Sequence, residues 1–162
     1  MSRDNKDFTF KEIYEPTWIN QLIDLHNKTE MKRNNPDKVN QAFKGSYAVI
    51  TCWSENNLIA CGRMISDGQM YSGIFDVVVD PSFQKMGIGQ EIMERLISKA
   101  PDTCIHLTST AGNEPFYDKV GFKMHKTAMA LYPGKMSSSS YLYSYSKLQE
   151  PERLHINKDQ SH

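Results

Sequence analysis

The chain has 162 residues, of which 39% are hydrophobic and 23% charged, enough for one soluble globular domain with a substantial core. Lys plus Arg and Asp plus Glu number 19 each, so the net charge is zero. Nothing in that balance favours nucleic acid or an anionic membrane as a partner. Cys52, Cys61 and Cys104 are odd in number, widely spaced and without CxxC or Cys/His spacing, so no metal site is expected. Each lies in an apolar segment and reads as a reduced core residue. The first residues, MSRDNKDFTF, hold no apolar leader core, and no run is long enough to span a bilayer. A cytoplasmic chain is the expectation.

In chain order, residues 1–7 are polar and expected to be loose. Residues 7–13 are a strand candidate with Phe8, Phe10 and Ile13 as its apolar positions. Pro16 suits the first turn of a helix in which Trp18, Ile19, Leu22, Ile23, Leu25 and His26 recur at helical spacing. NKTEMKRNNPD breaks that pattern, and residues 36–43 read as a second short helix. SYAVITCW (46–53) and LIACGRMI (58–65) form a hairpin around ENN. MYSGIFDVVVD (70–80) is the longest strand candidate.

From Gly87 the period changes. Ile88, Ile92, Met93, Leu96 and Ile97 make one apolar helical face, and Pro101 ends it. TCIHLTST (103–110) reads as a strand, and a short helix runs from about Glu114 to Val120 with Gly121 as its cap. FKMHKTAMALY (122–132) reads as a strand and PGKMSSSS as a loop. YLYSYSKL (141–148) alternates like a last strand, although tyrosines on a surface extension would look the same. Residues 149–162 are polar and expected to be a disordered tail. The order is β–α–α–β–β–β–α–β–α–β(–β), a single α+β domain over residues 1–148 with one helix crossing over between two central strands.

The stretch Gln84-Lys85-Met86-Gly87-Ile88-Gly89 follows a strand and opens a helix. Glycines there let an anion approach the main chain, and the helix start offers unpaired N–H groups and the positive end of its dipole. No acidic residue lies between Gln84 and Gln90. A Gly-x-Gly turn alone also serves close strand–helix packing, and it lacks the third glycine of a dinucleotide fingerprint and the Gly-Lys-Ser/Thr of a P-loop.

A second motif gives the turn its context. DVVVDPSFQKMGIGQEIMERLI, followed by GNEPFYDKVGF, resembles the GCN5-related N-acetyltransferase (GNAT) superfamily, whose Gln/Arg-x-x-Gly-x-Gly/Ala pattern binds the pyrophosphate of acetyl-CoA. The motifs cover residues 76–122, and the element order extends the likeness over about 8–132. The resemblance implies an α/β/α sandwich with a mixed, mostly antiparallel sheet of 6–7 strands, a splayed central strand pair and about four helices. It implies acetyl-CoA as co-substrate, with Gln84, Lys85, Met86, Gly87, Ile88 and Gly89 around the pyrophosphate. Val77, Val78 and Val79 would offer main-chain groups to the acetyl carbonyl and pantetheine. Asn113 would bond the pantetheine arm and Phe116 would pack along it, although Val77, Val79 and Phe116 also suit the core.

Acetyl transfer to an amine needs a neutral nucleophile, stabilisation of the developing oxyanion and a proton for the departing thiolate. Tyr117 matches the family's general acid, and a phenol is protonated across the ordinary pH range. Asp76 stands either as a base or as a brace of its strand. Alternation places it on the face of Val78 and opposite Val77. A base carried by water is a third option. His26, His106 and His125 are candidates by residue type alone.

In this superfamily the acceptor is selected by the first two helices, their connection and the last strands. Here those are HNKTEMKRNNPDK and TAMALYPGKMSSSSYLYS. Lys28, Lys32, Arg33 and Lys38 share the first with Glu30 and Asp37, so an anionic and a cationic acceptor stay open beside a plain solvated loop. Tyr132, Tyr141 and Tyr143 suit an aromatic pocket, an exposed strand or a homodimer contact. The expected function is acetyl transfer to a primary amine, that of a small molecule first and of a peptide or protein second. A non-catalytic acyl-CoA-binding domain is the alternative.

Overall fold

A computed structural model of the chain describes residues 7–144. By its contacts the chain divides into two compact units, residues 1–121 and 122–162. The first contains every strand and α-helix found among the described residues.

Its sheet has five strands in the order β1-β2-β3-β4-β5: β1 Phe8–Lys11, β2 Ala48–Ser54, β3 Asn57–Ser66, β4 Tyr71–Val79 and β5 Cys104–His106. The first four pair antiparallel, and β5 pairs parallel with β4. The parallel connection runs through α3, Ile88–Lys99, the single crossover expected from the sequence. β4 and β5 pair only from Tyr71↔Cys104 to Gly73↔His106. Beyond that point Ile74–Val79 has no strand on this side among the described residues, so the central pair is splayed.

The helices form where local chemistry supports them. α2, Pro36–Lys44, opens with Asn35 accepting from Lys38 N at 3.0 Å, Pro36 in its first turn, Asp37 near its positive end and Lys44 near its negative end. α1, Ile19–Asn27, follows a 3-10 turn at Pro16–Trp18 and buries Leu22, Leu25 and His26. Leu22 and Leu25 cluster with Val39 and Phe43 of α2 and with Val49, Trp53, Leu58, Cys61 and Val78 of the sheet. Each of these larger apolar side chains removed from water stabilises the fold by about 2 kcal/mol.

α3 covers the other face. A methyl group at Gly62 would stand 2.8 Å from Ile92 Cγ2, 3.1 Å from Leu96 Cδ1 and 3.3 Å from Val77 Cγ2. The sheet therefore lies between α1 with α2 and α3, an α/β/α sandwich. α4, Glu114–Lys119, is the fourth helix.

Four expectations need correction. The sheet of the described residues has five strands rather than 6–7. The strand expected over 103–110 stops at His106, where β4 diverges and removes its hydrogen-bonding partner. Residues 122–144 hold no strand. Their backbone donors are used in local turns instead, with Met136 N bonding Pro133 O at 3.2 Å, Ser139 N bonding Met136 O at 3.1 Å and Leu142 N bonding Ser139 O at 3.0 Å. The rest of the 141–148 strand and the 149–162 tail lie outside the described residues. Cysteine is the fourth correction. Cys52 and Cys61 are buried free thiols, but Cys104, on the short strand β5, is exposed.

Candidate active site

The site builds from a bulge in β4. Cys61 pairs with Val78 and Arg63 with Phe75, so Asp76 and Val77 together oppose Gly62. The extra residue is Asp76, which holds φ at 52°, the left-handed geometry of a bulge. On the far side of the bulge, Val77 turns toward α3 while Val78 joins the α1–α2 core. Asp76 and Val78 thus share a face opposite Val77, as alternation predicts. The splayed edge and the bulge fall on the same short stretch of chain.

Asp80 ends β4 and starts the next turn. Its Oδ1 accepts from Ser82 N at 2.9 Å, capping the 3-10 turn Pro81–Phe83. Gln84 then folds back, its Nε2 donating to Val79 O at 3.2 Å. Lys85 at φ 63° and Gly87 at φ 83° both lie in the left-handed region. Gly87 is the N-cap of α3 and supplies no capping side chain, and the space beyond its Cα is open. The first-turn N–H groups of α3 are thus uncovered by a cap and faced by positive dipole. The acidic side chain of the helix's first turn, Glu91, is engaged by Arg95 Nε at 2.7 Å. An anion such as a diphosphate fits the open space beyond Gly87, where no Cβ stands in the approach.

Gly89 joins this turn to α4. A Cβ placed on it would meet Phe116 Cζ at 3.4 Å and Val79 Cγ2 at 3.6 Å. The end of β4, the head of α3 and the ring of Phe116 therefore meet around one glycine. Phe116 in turn packs edge-on against Tyr117, ring centroids 5.0 Å apart. Burial raises the Tyr117 phenol above its usual value, which keeps the hydroxyl protonated. Asn113 caps α4 through its carbonyl, which accepts from Phe116 N at 3.0 Å, and its exposed side chain makes no capping bond.

Asp76 sits in a charged cluster that sequence reasoning missed. Arg63 Nε donates to its Oδ2 at 2.6 Å, and Arg33 Nη2 donates to its Oδ1. His26 Nε2 lies 3.6 Å from the same Oδ1. Burial pushes the Asp76 carboxyl up, but His26, Arg63 and Arg33 outweigh it and hold the group well below the usual carboxylate range. His26 Nδ1 donates to Leu22 O at 2.8 Å, because a carbonyl can only accept. Its buried Nε2 has no hydrogen-bond partner among the described residues. A signal for Arg63 was present in LIACGRMI, where one cation interrupts a buried strand and so demands a carboxylate partner.

The α1–α2 connection is consequently docked, not a free loop. Lys28 Nζ bonds Asp80 Oδ2 at 2.7 Å and Arg33 bonds Asp76, so two ion pairs tie it to β4 at both ends of the Val77–Val79 run. Arg33 N also bonds Asn27 Oδ1 at 3.1 Å. Of the other candidates, His106 is exposed beside Tyr71, ring centroids 6.4 Å apart, and His125 accepts from Thr127 N at 3.2 Å. A concavity lined by Gln21, Asp24, Asn27, Lys28, Asn57 and Leu58 lies between α1 and the β2–β3 hairpin. It contains none of the residues expected at a thioester.

A sandwich with this sheet order and this glycine turn defines an acetyltransferase fold. It superposes on a Staphylococcus aureus protein described as a probable acetyltransferase with a TM-score of 0.68, at 21% identity, covering 78% of this chain and 99% of that one. It also superposes on glucosamine-6-phosphate N-acetyltransferase from Arabidopsis thaliana with a TM-score of 0.64, at 18% identity, covering 78% and 98%. At such identities the likeness speaks for fold alone. The sequence goes further: residues 12–130 match the family described as "Acetyltransferase (GNAT) domain", and the chain belongs to the GNAT family of N-acetyltransferases. Among its relatives is "GCN5-related N-acetyltransferase 1, chloroplastic" of Arabidopsis thaliana, 31% identical over 126 residues. The match takes in 74% of this chain but only 63% of that relative, so the chain spans less than two thirds of the relative's length. No helix among the described residues is long and apolar enough to cross a membrane.

Proposed function

We propose that this GNAT chain transfers the acetyl group of acetyl-CoA to the primary amine of a small molecule by direct attack in a ternary complex. The observation that carries the reading is the head of α3, where Gly87 at φ 83° caps the helix without a side chain and leaves open space before its N–H groups. Acetyl-CoA, when bound, supplies the acetyl group as an activated thioester. Main-chain N–H groups over Gln84–Gly89 hold the pyrophosphate, with Met86 and Ile88 contributing backbone and Lys85 a counter-charge. Val77, Val78 and Val79 offer main-chain groups along the splayed edge of β4 to the pantetheine and the acetyl carbonyl. The Asn113 amide bonds the pantetheine arm, and Phe116 packs beside it.

In the transfer, the amine nitrogen bonds the acetyl carbon, the carbon–sulfur bond breaks, and the amine proton leaves to water. Tyr117 donates its hydroxyl proton to the departing sulfur. Asp76 is assigned as a strut and not as the base. Both its oxygens are bonded to guanidinium groups, and a carboxylate held so strongly in its charged form is a poor proton acceptor. A small acceptor is favoured by the docked α1–α2 connection, which is tied beside Val77–Val79 and narrows the approach. Calorimetric titration with acetyl-CoA, followed by thiol release with a panel of amines, tests the reading.

A further inference from the structure

Arg33 and Arg63 both spend donors on Asp76, yet neither guanidinium is exhausted. Arg63 donates through Nε, its one side-chain hydrogen bond among the described residues, which leaves its two Nη groups over. Its guanidinium is held between the rings of Phe43 and Phe75, at 5.6 and 5.4 Å from their centroids. This fixes its plane without using its N–H groups. Arg33 uses Nη2 on Asp76 and Nη1 on Lys32 O at 3.4 Å, leaving Nε over. Its side chain is 39% exposed, so water and ligand reach it.

Charge points the same way. Two cations meet one carboxylate, and no second carboxylate lies within ion-pair distance of either among the described residues. At least one positive charge is therefore uncompensated, beside the exposed ring of Phe75. The neighbouring Lys28 adds nothing, because Asp80 neutralises it. The cluster adjoins Val77, the next residue along β4 at a rise of about 3.3 Å. An oxyanion here would hold an acceptor's amine within a few bonds of the proposed thioester position.

From this juxtaposition we infer that Arg33 and Arg63 form an anion subsite, and that the acceptor is a small amine carrying a phosphate or carboxylate a few bonds from its nitrogen. The inference rests on the acetyltransferase reading and names the acceptor class for the same site. Arg33 reaches in from the docked connection and Arg63 presents its fork from β3, geometry that suits a bidentate oxyanion. Asp76 orients both cations and leaves their outer donors to the ligand.

The test uses the full chain saturated with CoA, so that the pyrophosphate cradle is filled. Inorganic phosphate is titrated into wild type, Arg33→Ala and Arg33→Lys, and acetylation is measured on matched amines. Phosphoethanolamine against ethanolamine reads the phosphate arm, and β-alanine against β-alaninamide the carboxylate arm. Phosphate should bind the wild type, at least about tenfold more weakly after Arg33→Ala, with partial rescue by Arg33→Lys. The anionic member of at least one pair should have the higher kcat/KM by about tenfold. That preference should collapse through KM in Arg33→Ala, and the pair that shows it identifies the oxyanion. Equal phosphate binding by wild type and Arg33→Ala, or neutral amines turned over as well as their anionic partners, overturns the inference. Failure of CoA itself to bind would instead overturn the acetyltransferase reading on which it rests.

Discussion

Arg63 Nε donates to Asp76 Oδ2 at 2.6 Å across the β3–β4 pair, at the one residue of β4 with positive φ. A non-glycine residue in that conformation stores about 1–2 kcal/mol of strain, and the clamp from Arg63, Arg33 and His26 holds it there. The bulge turns the Val77 side chain toward α3, while Asp76 and Val78 stay on the α1–α2 side. A side-chain ion cluster on one face thus braces the bulge that places Val77 on the other.

Replacing Asp76 by Asn keeps the shape and removes the charge. Arg63 would then be left largely buried without its counter-ion, and Arg33 would lose its anchor. Breaking such a pair costs about 3 kcal/mol. Urea denaturation of Asp76→Asn should show a loss of that size, and a loss under about 1 kcal/mol would mean that the cluster does not hold the bulge.

The same cluster gives a pH dependence with a definite sign. The folded-state value of Asp76 is depressed, so its contribution is fully present above the unfolded value of about 3.9. That contribution is lost as pH falls below about 4 toward the folded value. Urea midpoints of wild type and Asp76→Asn should therefore differ from pH 7 to pH 5 and converge as the pH is lowered further. A gap that persists unchanged to pH 3 would contradict the ion-pair account.

Much of this was legible in the chain, and what was not has a physical reason. The glycine turn, the crossover helix and the hairpin announce themselves by local periodicity and turn chemistry, and their observed bounds lie within a few residues of the expected ones. Asp76 was legible only as an alternative between base and brace. The proposed role as a strut rests on Arg33, 43 residues away in sequence, and on Arg63, 13 away, pairings that no local pattern encodes. Residues 103–110 look like a full strand because propensity cannot register that β4 turns away after Gly73. The tyrosines of 141–148 alternate like a strand, but those of residues 141–144 lie among local turns.

Gly87 separates stability from ligand binding. An alanine there meets nothing within 4 Å but must adopt positive φ, at a cost of about 1 kcal/mol. Its methyl group would project into the proposed phosphate approach. Gly87→Ala should stay folded, with a small shift in denaturation midpoint, while its affinity for acetyl-CoA falls at least about tenfold by calorimetry. Gly87→Glu, which adds a negative charge, should abolish binding. Full affinity in either variant would sink the cradle.

Tyr117→Phe isolates the proton. The ring that packs against Phe116 is kept, so acetyl-CoA binding should change by less than about twofold while kcat falls about 100-fold. Burial raises the phenol, so wild-type activity should show no alkaline decline from Tyr117 below about pH 10. Unchanged turnover in Tyr117→Phe across the pH range would remove Tyr117 as the acid.

Acetyl transfer from CoA to an amine is the function proposed for this GNAT chain. Continuous detection of free thiol, with wild type, acetyl-CoA and a panel of primary amines, tests it most directly. Amine-dependent CoA release is expected, matched one for one by acetylated amine in mass spectrometry and lost in Gly87→Glu. Binding of acetyl-CoA with no amine in the panel raising thiol release above the background would contradict it.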